Sequence, residues 1–197
     1  VNLTAFETRF PERRPFFLEG APLFNIGHPN FYYSRRIGAR PVGPATGDYV
    51  DYPANSTILG AAKLTGRLPS KTSIGFLSAV TAEESAGIAS ATTLDRTRVT
   101  VAPRGYYALG RVLQEFGPDA STAGLLASVV HREFRAGDPL ADSQPTTALA
   151  LAGNTLLRFR GGQYELRVSG GGSLVSGTAK AMERVQRASA HFAQRPD

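Results

Sequence analysis

The most constraining feature of this chain is a side-chain period of two that returns again and again between about Ser56 and Ser176, in stretches broken by turns. Its cleanest copy is Gln163-Tyr164-Glu165-Leu166-Arg167-Val168-Ser169. In an extended strand successive side chains point to opposite faces. Gln163, Glu165, Arg167 and Ser169 therefore share one surface, and Tyr164, Leu166 and Val168 the other. Each ribbon has a charged side and a greasy side. Transmembrane strands need about 9–11 residues, and several such ribbons in succession are the pattern of an outer-membrane β-barrel. The predicted fold class is all-β and antiparallel: a partial outer-membrane-type barrel or meander, with an irregular N-terminal segment and a short C-terminal helix.

Ile58 to Leu68 sets Ile58, Gly60, Ala62, Leu64, Gly66 and Leu68 against Lys63, Thr65 and Arg67. Pro69-Ser70-Lys71 turns this strand into a return over Thr72 to Glu83, a hairpin and hence antiparallel. Ser85 to Thr93 reads as a polar, small-residue loop, and Arg98 to Ala102 with Tyr106 to Phe116 as the next strand region. Gly117-Pro118-Asp119 turns it into Ser121 to Phe134, which is apolar on both faces and leaves its register open. Gly137 to Pro145 is a loop, Thr147 to Phe159 alternates again, and Gly161-Gly162 leads into the Gln163 strand. The run Gly170-Gly171-Gly172 reads as a strand-end kink or turn. From Thr178 to Ala193 the period changes: Met182, Val185, Ala188, Ser189 and Phe192 recur at three and four, so a helix capped near Thr178 is expected. Short turns alternating with long loops suit a barrel. A soluble sandwich does much the same.

Residues 1–55 differ. Pro11, Pro15, Pro22, Pro29, Pro41, Pro44 and Pro53 exclude long helices and central strands. The aromatics Phe6, Phe10, Phe16, Phe17, Phe24, Phe31, Tyr32 and Tyr33 argue against a disordered tail. An ordered plug-like or rim segment is expected over 1–55, barrel strands over 56–177, and a helix with a truncated continuation over 178–197. The opening at Val1-Asn2-Leu3 and the close at Gln194-Arg195-Pro196-Asp197 predict an internal piece of a longer secreted protein.

Composition narrows the chemistry. With no cysteine, thiolate catalysis, disulfides and Cys-based zinc sites are excluded. The net charge of +6 invites a nucleic-acid reading, but it is dispersed and no zinc-finger or helix-turn-helix pattern accompanies it. Arginines lining a polar lumen or meeting lipopolysaccharide phosphates account for it better, so no nucleic-acid partner is expected. Glu83 and Glu84 are adjacent and would point to opposite faces of a strand, which cannot serve one glycosidic bond. His28, His131 and His191 lack metal-ligand spacing, and there is no Gly-x-Ser-x-Gly elbow or phosphate loop. No catalytic residue, metal ligand or cofactor site is expected. The candidate lumen or anionic-ligand contacts are Arg13, Arg14, Arg35 and Arg36 in the N-terminal segment, and Lys63, Arg67, Arg111 and Arg167 on the strands. An arginine fork binds carboxylates and phosphates at two points. The competing reading pairs these cations with Glu7, Glu12, Glu19, Glu83 and Glu115.

The blocks from Thr4 to Gly20, Phe31 to Gly38, Ile58 to Arg67, Val80 to Glu84 and Ser189 to Asp197 together resemble a bacterial family. In it, a family-9-type carbohydrate-binding-like domain precedes a long domain of unknown function, number 5916. The resemblance implies a secreted, outer-membrane-associated β-barrel protein, of which this chain corresponds to the first part of the second domain; it supplies no catalytic residues. The function it implies is non-enzymatic saccharide binding or transport at the bacterial outer membrane, with membrane lipid, lipopolysaccharide, saccharides and the rest of the same chain as partners. The alternatives are a secreted β-rich carbohydrate-active enzyme and a soluble sandwich-type binding module. In a membrane barrel, Ile58, Leu64, Tyr106, Val112, Tyr164, Leu166 and Val168 should form one lipid-facing belt.

Overall fold

The structure is a computed structural model that describes residues 10–27, 31–92 and 96–187. Its body is a six-stranded antiparallel sheet of β2 (Ile58–Arg67), β3 (Thr72–Thr81), β6 (Arg104–Phe116), β7 (Ser121–Glu133), β8 (Thr147–Phe159) and β9 (Tyr164–Ser176), in the spatial order β2-β3-β6-β7-β8-β9. The connections β2–β3, β6–β7 and β8–β9 are tight turns at one end. Gly117 (φ 72°) and Gly161 (φ 67°) take the left-handed backbone that two of them require. The longer connections lie at the opposite end. The fold is all-β and antiparallel with one short C-terminal helix, as the alternation predicts. It is an open sheet and not a closed barrel, since among the described residues β2 and β9 each keep an unpaired edge.

Several elements depart from the sequence reading. Residues 84–89 form a strand, β4 (Glu84–Ala89), where a loop is expected. It pairs with β1 (Tyr49–Asp51), inside the segment expected to be irregular, and with β5 (Arg96–Ala102), giving a separate three-stranded sheet. Pro103, which has no amide hydrogen to donate, separates β5 from β6, so the single region expected there is two strands in two sheets. Gly170-Gly171-Gly172 lies inside β9, each glycine paired with a residue of β8, and is neither a kink nor a turn. The helix α3 (Ala179–Arg187) is capped by Thr178, whose Oγ1 accepts from the Ala181 amide at 3.2 Å. The rest of that expected helix, 188–193, lies outside the described residues.

Two single turns of helix, α1 (Pro15–Leu18) and α2 (Ala21–Phe24), lie on one face of the six-stranded sheet. Phe17, Phe24, Ile26 and Ile37 from this segment meet Leu77, Ala79, Leu109, Leu126 and Ala152 from the strands in one core. Burying each such large side chain contributes about 1.5–3 kcal/mol. The approach is close: a Cβ on Gly75 would lie 2.8 Å from Leu23 Cδ2, so only glycine lets α2 sit there. This covering also resolves β7, whose register the sequence leaves open. Leu126 falls beneath the segment at 0% exposure, while its neighbour Leu125 points away.

Candidate functional site

The strand registers sort the charges onto one side. Lys63, Arg67, Arg111, Glu115, Arg132, Arg158, Glu165 and Arg167 occupy positions that share the face carrying the N-terminal segment. The opposite face holds Leu64, Phe76, Tyr106, Val112, Leu125, Leu149, Leu151, Leu166, Val168 and Leu174. Its charged pair, Arg104 opposite Glu133, stands at the strand end. Among the described residues nothing covers this apolar face: its members range from 38% exposed at Tyr106 to 73% at Leu174. Six strands about 4.8 Å apart and ten or more residues long make a face on the order of 1,000 Å². Soluble monomers rarely expose contiguous apolar patches beyond about 300–600 Å².

Of the belt expected from sequence, Leu64, Tyr106, Val112, Tyr164, Leu166 and Val168 lie on this exposed face. Ile58 does not. A bulge between Ile58 and Gly60 shifts the register, pairs Ile58 with Thr81 and turns it into the core. Where glycines floor the outer face, shallow apolar hollows remain; one of about 440 Å³ is lined by Val112, Leu125, Gly153, Val168 and Gly170.

On the charged face Arg111 is the most enclosed cation, 3% exposed. Its Nε donates to the Leu23 carbonyl (3.1 Å) and its Nη2 to Asn154 Oδ1 (2.6 Å), while Nη1 is buried without a partner. Burial without a carboxylate pushes its pKa down. Lys63 Nζ donates to the carbonyls of Phe16 and Glu19, the second at 2.6 Å, and lies over the Phe16 ring. Arg132, also depressed chiefly by desolvation, donates to the Pro145 carbonyl (3.0 Å). Nearer the tight turns the cations are ion-paired, two to each carboxylate. Arg67 pairs with Glu115 at 2.6 Å, and Arg158 and Arg167 share Glu165 at 2.9 and 3.0 Å. These hydrogen bonds hold both carboxyls below their ordinary range.

The N-terminal arginines do not gather into one site. Arg14 forks onto Glu12 (2.7 Å), donates to the Ile37 and Ser34 carbonyls and stacks on Phe17 at 4.2 Å. Held by Arg14 first, and also by Ser34 and two backbone amides, the Glu12 carboxyl falls to about 2. Arg35 donates to the Pro11 carbonyl (2.9 Å). Arg13 is exposed, and Arg36 lies in the 3-10 turn Ser34–Arg36, close enough to Arg132 for their charges to repel. Glu83 pairs with Arg135 (3.0 Å), and Glu84 accepts from the Thr57 amide (2.6 Å). His131 shares a hydrogen bond with Thr147 (2.9 Å). Glu7, His28 and His191 lie outside the described residues. Among the described residues no group of three or more His, Cys, Asp or Glu side chains could hold a metal ion, and no helix is long and apolar enough to cross a membrane.

Sequence reasoning missed Asn154 and Arg132. Asn154 carried a signal: asparagine is disfavoured in strands, and here it interrupts an apolar run.

The family model for a domain of unknown function (DUF5916) matches residues 1–149. No curated protein and no solved structure matches the chain. The chain belongs to the DUF5916 family.

Proposed function

We propose that this DUF5916 member contributes a section of wall to a β-barrel in the bacterial outer membrane, with residues 10–40 as a plug against the inner surface. The observation that carries this reading is the partition of charge. A cation facing lipid at the bilayer midplane costs about 2–4 kcal/mol, and along the body of the six strands every ionised side chain lies on the face that holds the plug. Strand length fits as well: thirteen residues at about 3.3 Å per residue, tilted by about 45°, rise roughly 30 Å. Tight turns at one end and long connections at the other match the periplasmic and outer rims of such barrels. Closure needs further strands on the β2 and β9 edges. A sandwich would need a second sheet over the apolar face, and the β1-β4-β5 sheet leaves that face bare.

The role of the barrel is non-enzymatic binding or passage of saccharides at the cell surface. Two things support it: the carbohydrate-binding-like domain of the family that the sequence resembles, and the polar inner wall. Membrane partitioning tests the reading. In a bacterium with two membranes, the protein is expected in the carbonate-washed outer-membrane pellet, with a gel mobility that shifts on heating. Recovery in the soluble fraction would overturn it.

A further inference from the structure

The three-stranded sheet packs one face against its own chain and leaves the other open. On the packed face Ala86 and Val101 are fully buried, and a Cβ on Gly47 would collide with Ile88 Cγ2, so the loop before β1 lies against it. On the open face the register sets two rows across the strands: Tyr49, Ala89 and Arg96, then Asp51, Gly87 and Arg98. Residues two apart in a strand share a side, so these six form one surface. Among the described residues a Cβ on Gly87 would meet only Asp51 Cβ, at 3.7 Å. That contact puts Asp51 beside Gly87 and leaves the space above the glycine clear. Tyr49 is 68% exposed, and Asp51, Arg96 and Arg98 are exposed with it. Among the described residues none of these three charged groups has an ion pair, in contrast to Arg67, Arg158 and Arg167 on the large sheet.

We propose that this face binds an acidic sugar, a hexuronate unit of a saccharide. The proposal rests on the saccharide reading above and gives it a site and a substrate class. The order β1-β4-β5 puts the Tyr49 phenol and the Asp51 carboxylate at one border and both guanidiniums at the other, two strand spacings or about 10 Å apart, with only Gly87 and Ala89 between them. A ligand seated over Gly87 therefore meets opposite chemistry on its two sides. Asp51 accepts hydrogen bonds from sugar hydroxyls, and Tyr49 supplies a rigid amphipathic wall with a hydroxyl at its tip. The forks of Arg96 and Arg98 take the sugar carboxylate, a charge-assisted contact. A neutral sugar leaves both forks without an anion, and a bare sulfate or phosphate brings Asp51 only repulsion. The acidic border is also held in place: Asp48 Oδ2 accepts from the Ala91 amide at 2.8 Å, which ties the start of β1 to the turn after β4.

The full chain, folded in detergent, is titrated with trigalacturonate, with uncharged galactotriose, and with sodium sulfate at matched ionic strength. Backbone amide NMR shifts are followed at residues 87 and 89. Trigalacturonate should give saturable shifts there, galactotriose should bind several-fold more weakly, and sulfate should give none that saturates. Equal affinity for the charged and uncharged trisaccharides, or saturation by sulfate at the same concentration, would overturn the proposal. Arg98→Gln should weaken trigalacturonate several-fold and leave galactotriose unchanged, whereas Asp51→Asn should weaken both. Gly87→Val puts its side chain into open space, so the sheet stays folded while the seat is filled, and binding of both sugars should be lost. Undiminished trigalacturonate binding to that variant counts against the site. Saturable shifts confined to the large sheet sink this site and leave the saccharide reading standing; no saturable shift anywhere sinks both.

Discussion

Arg111 on β6 reaches Asn154 on β8 across an intervening strand, Nη2 to Oδ1 at 2.6 Å. It can do so because β7 places Gly124 between them. A Cβ there would lie 2.7 Å from Arg111 Nη1 and 2.8 Å from Nη2. Gly124→Val should therefore break the bridge and strand a buried guanidinium. The expected loss is about 1–3 kcal/mol, read by denaturant unfolding. Asn154→Leu should cost a similar amount without crowding. If both variants keep full stability, the bridge contributes nothing.

The outer face separates lipid from water as its solvent. Leu151→Arg should destabilise the protein in liposomes by about 2–4 kcal/mol, and Arg167→Leu on the inner face by far less. In a water-soluble fold Leu151, 56% exposed, would tolerate arginine with little change. Reversible unfolding from bilayers reads the difference.

Docking of the N-terminal segment on the sheet should depend on pH through Glu12. Its carboxyl sits at about 2 in the folded state against an ordinary 4.5. A depressed carboxyl contributes stability that is complete above its unfolded value and lost as pH falls through the folded one. The protection factors of the 10–27 and 31–37 amides, after correction for the intrinsic pH dependence of exchange, should fall between about pH 5 and pH 2. Glu12→Gln should abolish that dependence and cost the docked segment about 1 kcal/mol at neutral pH. A wild-type profile flat across the window would remove Glu12 from the account.

The loop before β1 is held by a glycine as well. The Gly43 amide donates to the Val101 carbonyl (2.9 Å), and a Cβ at Gly43 would lie 2.5 Å from that same oxygen. Gly43→Ala should lift the loop from β5 at a cost of about 1–3 kcal/mol. Thermal unfolding and exchange of the residue-43 amide are the measurements.

Local signals were legible because they need only neighbours. The period of two in Gln163–Ser169 assigns Arg167 and Leu166 to opposite faces whatever the strand pairs with. Pro69 to Lys71 and Gly161-Gly162 mark hairpins, and the prolines of the N-terminal segment hold its helices to single turns. Lys63, Arg67, Arg111 and Arg167 could thus be placed on one face from sequence, but not their partners. Whether Arg111 meets Leu23, Asn154 or a carboxylate depends on residues 88 and 43 positions away.

By itself, then, the sequence determined alternation, turn positions and the exclusion of long helices from the first fifty residues. Each follows from steric or hydrogen-bonding limits acting within a few residues. Tertiary structure alone decided which face of β7 is covered, since Leu125 and Leu126 are equally apolar and only the docked N-terminal segment tells them apart. It also decided that Ile58 turns inward, because a bulge exists only relative to a partner strand. That 84–89 pairs with β1 and β5 is of the same kind, a short Ser- and Gly-containing stretch whose pairing comes from strands distant in the chain.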